Sequence, residues 1–591
     1  QTVLLSRPAE WVLQGEDGSG VLASGSDRER IVLPPLPLGI HRLVMTTRAD
    51  ASLREWTVWV LARPLQAVSL AERTGAAKVW GVTTSVYGLT DLGAAPIGSY
   101  RLLADYAAEM AAHGADFVGV NPVHAMGDLR PDDVISPYSP SHRGFLNTWH
   151  ISQPTGRPAG SDLIDYRAAL ASSNEALVAE FAAFMALPVE DAARRECEAF
   201  ATARGDELDG YALFEALAAR FGADWRTWPA AYRDHDDAAL AAFAHENAEA
   251  VAFHKWAQWR ADCELGQAQL RAGDVGMRIG LYLDLAVGPR LGGAETWAKG
   301  SSLVTGASLG APPDPLAPSG QRWGLAPQSP HLCRAQGYAG FARLMRAVMR
   351  HAGMIRIDHI LGLMRSFWVP DGGEEGAYVS YPLDALLAVV AIESARSGTV
   401  VIGEDLGLVP EGLREKLATS GIYGLEVLQY MRTDAGGFED TAQARAKALC
   451  VFATHDTPTI TGFFAGEDAR LQSEIGALDP TGLQAIRDDR QKAQQTLGDK
   501  PIVAAIHDRL AGARSELVAV QLDDIAGRVN QQNLPGTIDQ YPNWRQTAPF
   551  AVADIRKSPA FAQLGAEMRR NGRSNACANI TENSPDNGDG S

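Results

Sequence analysis

Eight short apolar segments alternate with helix-forming stretches from about residue 76 to residue 526. Several are apolar throughout, as strands covered on both faces are. This alternation is typical of an α/β protein with a parallel sheet, and eight strands close a (β/α)8 TIM barrel. A doubly wound open sheet is the alternative, but no glycine-rich phosphate turn follows the first segment. The predicted strands are 78–84, 115–123, 277–287, 353–360, 399–406, 421–430, 448–456 and 516–526.

The predicted strands are unevenly spaced, so the long segments before, between and after them form other regions of the 591-residue chain. Residues 1–70 contain short β-rich segments between Gly, Pro and Asp turns, which predicts an N-terminal all-β sandwich. It could bind glucan, mediate a dimer or pack on the barrel, and we favour packing because the sequence shows no exposed aromatic cluster. Residues 71–570 are predicted to form the barrel, with a largely helical insertion at about 124–275 and a functional loop at 288–345. The tail, 571–591, has few apolar residues and is predicted to be disordered.

Charge and cysteine content narrow the class of protein. A net charge of −18 argues against nucleic-acid and membrane partners. Five scattered cysteines form no metal or redox motif, which favours reduced thiols in a cytoplasmic protein. The N-terminal sequence predicts no signal peptide, and because it lacks an initial Met we expect a truncated or processed product.

Three predicted strands end in carboxylates, namely Asp358, Glu404 and Asp456. The carboxyl ends of barrel strands meet at one face, where catalytic residues of such barrels lie. Cleavage of a glycosidic bond with retention needs two carboxyl groups about 5 Å apart, one as nucleophile and one as acid and base. The pattern therefore predicts glycoside chemistry at this face.

The flanking residues suggest a role for each carboxylate. Arg356 precedes Asp358 by two positions, so both face the same side of a strand, and a guanidinium keeps a carboxylate ionised for attack. A negative neighbour would raise the pKa of Glu404 and suit it to proton transfer. Asp405 follows Glu404 directly, so its side chain should point to the opposite face of the strand. Asp456 and His455 would hold sugar hydroxyls.

The residues alone leave other interpretations open. Arg-x-Asp is commonly a surface ion pair, Glu-Asp after a strand is commonly a helix cap, and His-Asp is usually a structural hydrogen bond. A metal site is a further alternative because all of its candidates are ligand types, although no compact ligand spacing supports it. Its candidate ligands are Asp358, His359, Glu404, His455 and Asp456.

A longer series of motifs carries a family resemblance. In this order the motifs resemble those of the 4-α-glucanotransferases, also called amylomaltases or disproportionating enzymes, within the α-amylase clan. The resemblance runs from about Trp80 to Arg545. The motifs are NPVH at 121–124, SPYSPS at 136–141, LDLAVG at 283–288, GGAETW at 292–297, PPD and GQRWG in 312–324, RIDH at 356–359, GEDLG at 403–407, and NLPGT with YPNWR in 533–545.

The resemblance implies residue roles and partners. Asp358 would be the nucleophile, Glu404 the general acid/base and Asp456 the third carboxylate that grips the sugar. No metal or organic cofactor is implied, and the partners would be maltooligosaccharides and α-1,4-glucans, with glucose as an acceptor. The substrate-binding residues implied are Arg356, His455, Asp284, Ser136, Tyr138, Asp314, Gln321 and Trp323.

Two departures from the common family pattern suggest altered preference. Pro315 stands where the family commonly has Tyr, and Thr457-Pro458 follow Asp456 in place of Asn-Asp. Both changes resemble a bacterial subgroup with an extended N-terminus, so we expect retained function with altered acceptor or chain-length preference. The alternatives are an α-glucan hydrolase on the same barrel and a glucan-binding protein without activity.

Overall fold

The computed structural model describes residues 2–18, 20–49, 52–91, 97–127, 135–153, 162–313, 320–373 and 375–573. Within these ranges, no helix is long and apolar enough to cross a membrane.

Eight parallel strands form a closed barrel, which confirms the predicted (β/α)8 fold over the open sheet. Each predicted segment contains one of the strands. The strands are β1 Val79–Thr84, β2 Phe117–Val120, β3 Gly280–Leu285, β4 Met354–Ile357, β5 Val400–Gly403, β6 Gly424–Val427, β7 Ala448–Val451 and β8 Leu517–Gln521. Their order around the sheet is β5-β4-β3-β2-β1-β8-β7-β6, and a parallel bridge between Ile402 and Tyr423 joins its two edges.

Two glycines let large rings fill the barrel interior. A Cβ atom at Gly81 would lie 2.4 Å from the Phe117 ring, and one at Gly119 would lie 2.6 Å from the Tyr282 ring. Phe117 and Tyr282 are buried and meet edge to face, with their centroids 5.8 Å apart. These rings therefore pack part of the barrel interior beneath the site, as side chains do in barrels of eight strands.

Helices cover the outside of the barrel. Tyr100–Ala112, for example, begins at Ser99, whose side chain accepts a hydrogen bond from the Leu102 N–H. The helices around the barrel and in its C-terminal part are Leu70–Thr74, Tyr100–Ala112, Ala339–Met349, Leu383–Ser397, Leu413–Thr419, Ile460–Ala465, Glu467–Glu474, Pro480–Gln495, Ile502–Gly512, Leu522–Ile525 and Pro559–Arg570.

The chain between β2 and β3 is largely helical where it is described. Its longest helix contains a kink at Gly205, which has a φ of 52°. Ala248–Asp274 packs along Tyr100–Ala112 and so anchors this insertion to the barrel. The helices of the insertion are Tyr166–Met185, Ala192–Phe221, Ala230–Arg233, Asp237–Glu246 and Ala248–Asp274.

Segment 288–345, predicted as a loop, contains regular structure. It includes the helices Ala294–Trp297 and Pro330–Ala335, and it runs into Ala339–Met349. It also supplies two strands of a four-stranded antiparallel sheet, which we call the side sheet. The side sheet consists, in order, of Gln321–Arg322, Ala307–Ala311, Arg365–Pro370 and Ala377–Ser380.

The N-terminal region forms an antiparallel sheet with a two-stranded ribbon of Thr2–Leu4 and Arg30–Val32. Trp59 packs against Gly337, where a Cβ atom would lie 2.5 Å from the indole. The Val68 N–H donates to Ser394 Oγ at 2.9 Å. These contacts attach the N-terminal sheet to the barrel. Its strands, in order, are Val21–Asp27, Ala9–Gln14, Gly39–Ala49 and Ser52–Ala62.

The predicted start of the disordered tail at residue 571 is too early. Arg573 is completely buried, and its guanidinium donates to the carbonyl oxygens of Ala511 at 2.8 Å and Ser515 at 2.8 Å. Ordered structure therefore extends through Arg573. The rest of the predicted tail lies outside the described residues.

Candidate active site

The carboxyl ends of the barrel strands open into a cleft of about 960 Å³. A smaller cavity of about 100 Å³ lies next to it inside the barrel, and Asp284 and Arg356 line that cavity. The structure thus brings together the predicted site residues that it describes, whereas Asp314 lies outside the described residues. The predicted residues in the cleft are Ser136, Tyr138, Gln321, Trp323, Asp358, Glu404, His455 and Asp456.

A buried guanidinium joins two carboxylates on the floor of the cleft. Asp284 of β3 and Arg356 of β4 are register partners, which explains why their side chains meet. Arg356 Nη1 lies 2.8 Å from Asp284 Oδ2, and Arg356 Nη2 lies 2.6 Å from Asp358 Oδ1. Burial would lower the pKa of Arg356, but the two carboxylates outweigh it and raise that pKa. Asp358 is therefore fixed beside a permanent positive charge.

Glu404 follows β5, and two backbone N–H groups hold its buried carboxyl group. The Leu406 N–H donates to Oε1 at 2.7 Å, and the His359 N–H donates to Oε2 at 2.9 Å. Burial and the nearby Asp358 raise the pKa of Glu404 to about 7, although Arg356 and these N–H groups oppose the shift. The direction agrees with the sequence-based prediction, but burial contributes more than the neighbouring charge.

Asp456 is the most exposed of the three carboxylates. Its side chain is 48% exposed, and Oδ2 lies 3.2 Å from His455 Nε2. Burial would raise the pKa of Asp456, but His455 and Asn533 lower it to about 2. Asn533 Nδ2 donates to Asp456 Oδ1 at 2.7 Å. Asn533 received no role from the sequence, although its place in the NLPGT motif was a usable signal.

Tyr138 connects these two groups of side chains. Its hydroxyl donates to Asp284 Oδ2 at 2.8 Å and lies 2.8 Å from His455 Nδ1. The ring stacks on the His455 ring, with centroids 4.1 Å apart and planes 20° apart. One face of the Tyr138 ring is therefore occupied by protein, which leaves at most the other face for contact with a sugar.

Loop residues form the upper wall of the cleft. Trp323 Nε1 donates to Gln321 Oε1 at 2.9 Å, and the Trp323 ring meets the His359 ring edge to face. On the opposite loop, Ser136 Oγ accepts a hydrogen bond from the Tyr138 N–H at 3.3 Å. These side chains line an open space and leave room for a ligand between them.

Asp405 points away from the cleft, as predicted from the alternation of side chains along a strand. It is completely buried and accepts hydrogen bonds from the Leu425 N–H at 2.9 Å and from Arg414 Nε at 3.0 Å. Arg445 also pairs with it. Asp405 therefore joins β5 to β6 where backbone pairing between the strands is sparse, which gives it a structural role.

The described residues do not support the alternative of a metal site. Among them, no three His, Cys, Asp or Glu side chains are grouped so that they could hold a metal ion. The candidate ligands Asp358, Glu404 and Asp456 instead engage Arg356, backbone N–H groups, His455 and Asn533. The arrangement is suited to acid–base and nucleophilic chemistry by carboxylates.

Comparison with known proteins places this site in a family. A family model described as 4-alpha-glucanotransferase matches residues 84–551. The 4-alpha-glucanotransferase of Mycobacterium tuberculosis is 35% identical over 91% of this chain and 81% of its own length. That of Haemophilus influenzae is 32% identical over 91% of this chain and 84% of its own length.

A solved structure agrees with the sequence comparison. Amylomaltase from Corynebacterium glutamicum superposes with a TM-score of 0.78 and 27% identity, covering 96% of this chain and 87% of that one. The region matched by the family model contains strands β2 to β8 and the last residue of β1, and it includes every described candidate site residue. The chain belongs to the 4-alpha-glucanotransferase (amylomaltase) family.

Proposed function

We propose that this chain transfers segments of α-1,4-glucans to the 4-OH of glucose or of another glucan by a retaining double displacement. Maltooligosaccharides and longer α-1,4-glucans are the proposed donors. Asp358, Glu404 and Asp456 are the proposed catalytic groups. This proposal refines the family assignment to particular residues, substrates and steps.

In the first half of the reaction, a carboxylate oxygen of Asp358 attacks the anomeric carbon of the donor. The bond between that carbon and the glycosidic oxygen breaks, and Glu404 gives its proton to the departing oxygen. The reducing-end fragment leaves, and a glycosyl ester on Asp358 remains. Arg356 holds Asp358 in place through the 2.6 Å contact.

In the second half, the 4-OH of an acceptor sugar attacks the anomeric carbon of the ester. Glu404, now ionised, takes the hydroxyl proton, and the bond from the anomeric carbon to Asp358 breaks. The bond formed is an α-1,4-glycosidic bond, the same type as the bond broken. The chain lengths are redistributed, and the acid returns to its starting protonation state.

The observation that carries this proposal is the contrast between two neighbouring carboxylates. Glu404 is buried, with its pKa raised to about 7, so it can give and take a proton near neutral pH. Asp358 instead pairs with the Arg356 guanidinium. A buried carboxyl group that can hold a proton, beside a carboxylate paired with a guanidinium, is the arrangement that acid–nucleophile pairs require.

The remaining residues are proposed to bind the sugar. Asp456 and His455 would accept and donate hydrogen bonds to hydroxyl groups at the cleavage point, with Asp284 and Tyr138 supporting them from below. Gln321, Trp323 and Ser136 would contact the glucan along the cleft, and Trp323 offers a ring for stacking on a sugar face. Asp314 keeps its proposed role from the family resemblance alone.

We also propose a domain division into 1–70 and 71–570, with the N-terminal sheet serving to pack on the barrel. The contacts of Trp59 with Gly337 and of Val68 with Ser394 support this role. A cytoplasmic location is proposed because the four cysteines in the described residues are free thiols, which fit a reducing compartment.

Product analysis tests the proposed function. The purified protein is incubated with maltotriose alone and a chelator, and all products are resolved by chain length. Transfer predicts glucose together with maltopentaose and longer chains, with no net gain of reducing ends. Glucose and maltose with rising reducing ends would show a hydrolase instead, and unchanged maltotriose would contradict activity on this donor.

A further inference from the structure

His359 has an unusual backbone conformation directly after the proposed nucleophile. Its φ of 49° and ψ of 58° are left-handed, which is uncommon for a residue other than glycine. Such conformations persist where surrounding contacts fix them, and they cluster at functional sites. Here the neighbouring bonds are the Ile360 N–H to the Glu404 carbonyl at 3.0 Å and the Gly362 N–H to the His359 carbonyl at 2.8 Å.

This conformation directs the His359 N–H at the proposed general acid. The N–H donates to Glu404 Oε2 at 2.9 Å, while the Leu406 N–H occupies Oε1. A fixed donor on each oxygen defines the orientation of the carboxyl group. The backbone of His359 therefore contacts Glu404 directly.

The His359 side chain contacts the upper wall of the cleft. Its ring meets the Trp323 ring edge to face, with centroids 5.5 Å apart and planes 84° apart, a favourable geometry for ring pairs. The backbone of Trp323 is bound to the side sheet, because its main-chain N–H donates to the Leu309 carbonyl at 2.9 Å. Burial lowers the pKa of His359 even though Asp358 opposes this shift, so the ring is neutral near neutral pH.

We propose that His359 is a positioning residue that ties the Trp323 wall of the cleft to the general acid, and that this tie sets the competition between sugar and water for the glycosyl ester. The inference rests on the proposed function. Transfer requires that water be excluded while an acceptor is held. A Trp323 ring held by His359 keeps the wall in place over the ester at the moment when Glu404 accepts the acceptor's proton.

Variants of His359 separate the ring from the backbone. Asn and Gly both tolerate a positive φ, so H359N and H359G keep the N–H donor and remove only the ring. H359A also lacks the ring but resists the left-handed conformation. The exposed His245 gives a matched control in H245A. Transfer and hydrolysis of maltotriose are measured for each variant, together with the pH profile of kcat/KM and the midpoint of thermal unfolding.

The ring contact is tested by the ratio of hydrolysis to transfer. We expect H359N, H359G and W323A each to raise the hydrolysed share by about two- to tenfold, the range for losing one ring pair. The double variant H359G/W323A should rise no further than the larger single change, because both remove the same contact. H245A should match the unaltered protein. An unaltered share in H359N and H359G would overturn the inference.

The backbone contact is tested by the basic limb of the pH profile. The His359 N–H stabilises the ionised form of Glu404, so weakening that bond raises the pKa of the acid, while Asp358 and Arg356 still face it. The basic limb should therefore move to higher pH in H359A and stay in place in H359G. If the basic limb lay at the same pH in H359A and H359G, the role of the His359 N–H would be refuted. H359S replaces H359A if the latter does not fold.

The role of His359 and the proposed function can fail separately. No transfer by the unaltered protein would contradict the proposed function itself. Normal transfer by the unaltered protein, with an unchanged hydrolysed share in every His359 variant, would contradict only the role of His359.

Discussion

The floor of the cleft and the side sheet beside it are held in different ways. On the floor, Arg356 and Asp284 pair with side chains only 10% and 8% exposed. On the side sheet, Arg322 and Asp371 form a similar ion pair with side chains 40% and 47% exposed. The first pair is part of a buried network with Asp358 and Tyr138, whereas the second faces solvent at the edge of a small sheet.

This difference indicates which part of the proposed reaction each region controls. Bond breaking needs carboxylates held in fixed positions and protonation states, and burial provides both. Choice between a sugar and water depends on a wall that can admit a glucan and then exclude solvent. We therefore expect floor variants to lose chemistry and side-sheet variants to change the choice of acceptor.

The largest expected effect is at Glu404, the proposed general acid. Glu404→Gln should lower the rate of transfer by about a hundredfold to ten-thousandfold, because the amide cannot give a proton to the leaving oxygen. The exposed Glu411 provides a control in Glu411→Gln. Initial rates with maltotriose and thermal unfolding would be measured for both variants. Full activity in a folded Glu404→Gln protein would refute the acid assignment.

The two ion pairs should differ strongly in stability. Arg356→Met leaves Asp284 buried without its cation and should lower the free energy of unfolding by about 3 kcal/mol or more. Arg322→Met, in the exposed pair, should cost less than about 1 kcal/mol. Chemical denaturation of both variants measures the difference. Similar losses for the two would show that the floor and the side sheet are held alike.

The pH dependence of transfer should follow Glu404. Its pKa of about 7 means that the protonated acid is lost as pH rises, so kcat/KM should fall by about tenfold per pH unit well above neutrality. Rate measurements between neutral and alkaline pH, with stability monitored in parallel, provide the test. A profile that stays flat to pH values far above neutrality would assign the proton to another group.

A smaller effect is expected at Asn533. Asn533→Ala removes the 2.7 Å hydrogen bond to Asp456, and loss of such a bond should lower kcat/KM by about tenfold. The nearby exposed Asn530 gives a control in Asn530→Ala. Steady-state kinetics with maltotriose would separate kcat from KM. An unchanged kcat/KM would show that His455 alone suffices to orient Asp456.

Sequence patterns predicted the barrel because its strands are local and apolar. Each of the eight strands is mostly buried and lies within a mostly apolar stretch of the chain, so that stretch indicates the strand. The ends of three such runs placed Asp358, Glu404 and Asp456 at one face. A barrel geometry then brings those ends together without any knowledge of the intervening chain.

The side sheet was missed because its pairing is not local. Ala307–Ala311 contains a glycine and small residues, and it pairs with Arg365–Pro370, whose sequence lies about sixty residues further on. Neither segment alternates apolar and polar residues clearly. A strand of this kind is defined by its partner more than by its own composition.

Details of the site depend on burial and on distant contacts. The pKa of Glu404 is raised more by burial than by Asp358, and burial cannot be read from the acid's own neighbours in the chain. Asn533 reaches Asp456 across 77 residues. The left-handed backbone of His359 likewise has no sequence signal, since the residue is neither Gly nor Asn.

The proposed nucleophile can be identified by trapping the glycosyl ester. Glu404→Gln, supplied with an α-maltosyl fluoride, needs no acid for the first step because fluoride departs unassisted, but it lacks the base for the second. We expect a protein adduct of one maltosyl group, mapped by peptide mass spectrometry to Asp358 and absent from Asp358→Asn. An adduct on another residue, or no adduct while fluoride is released, would show that Asp358 is not the nucleophile of a double displacement.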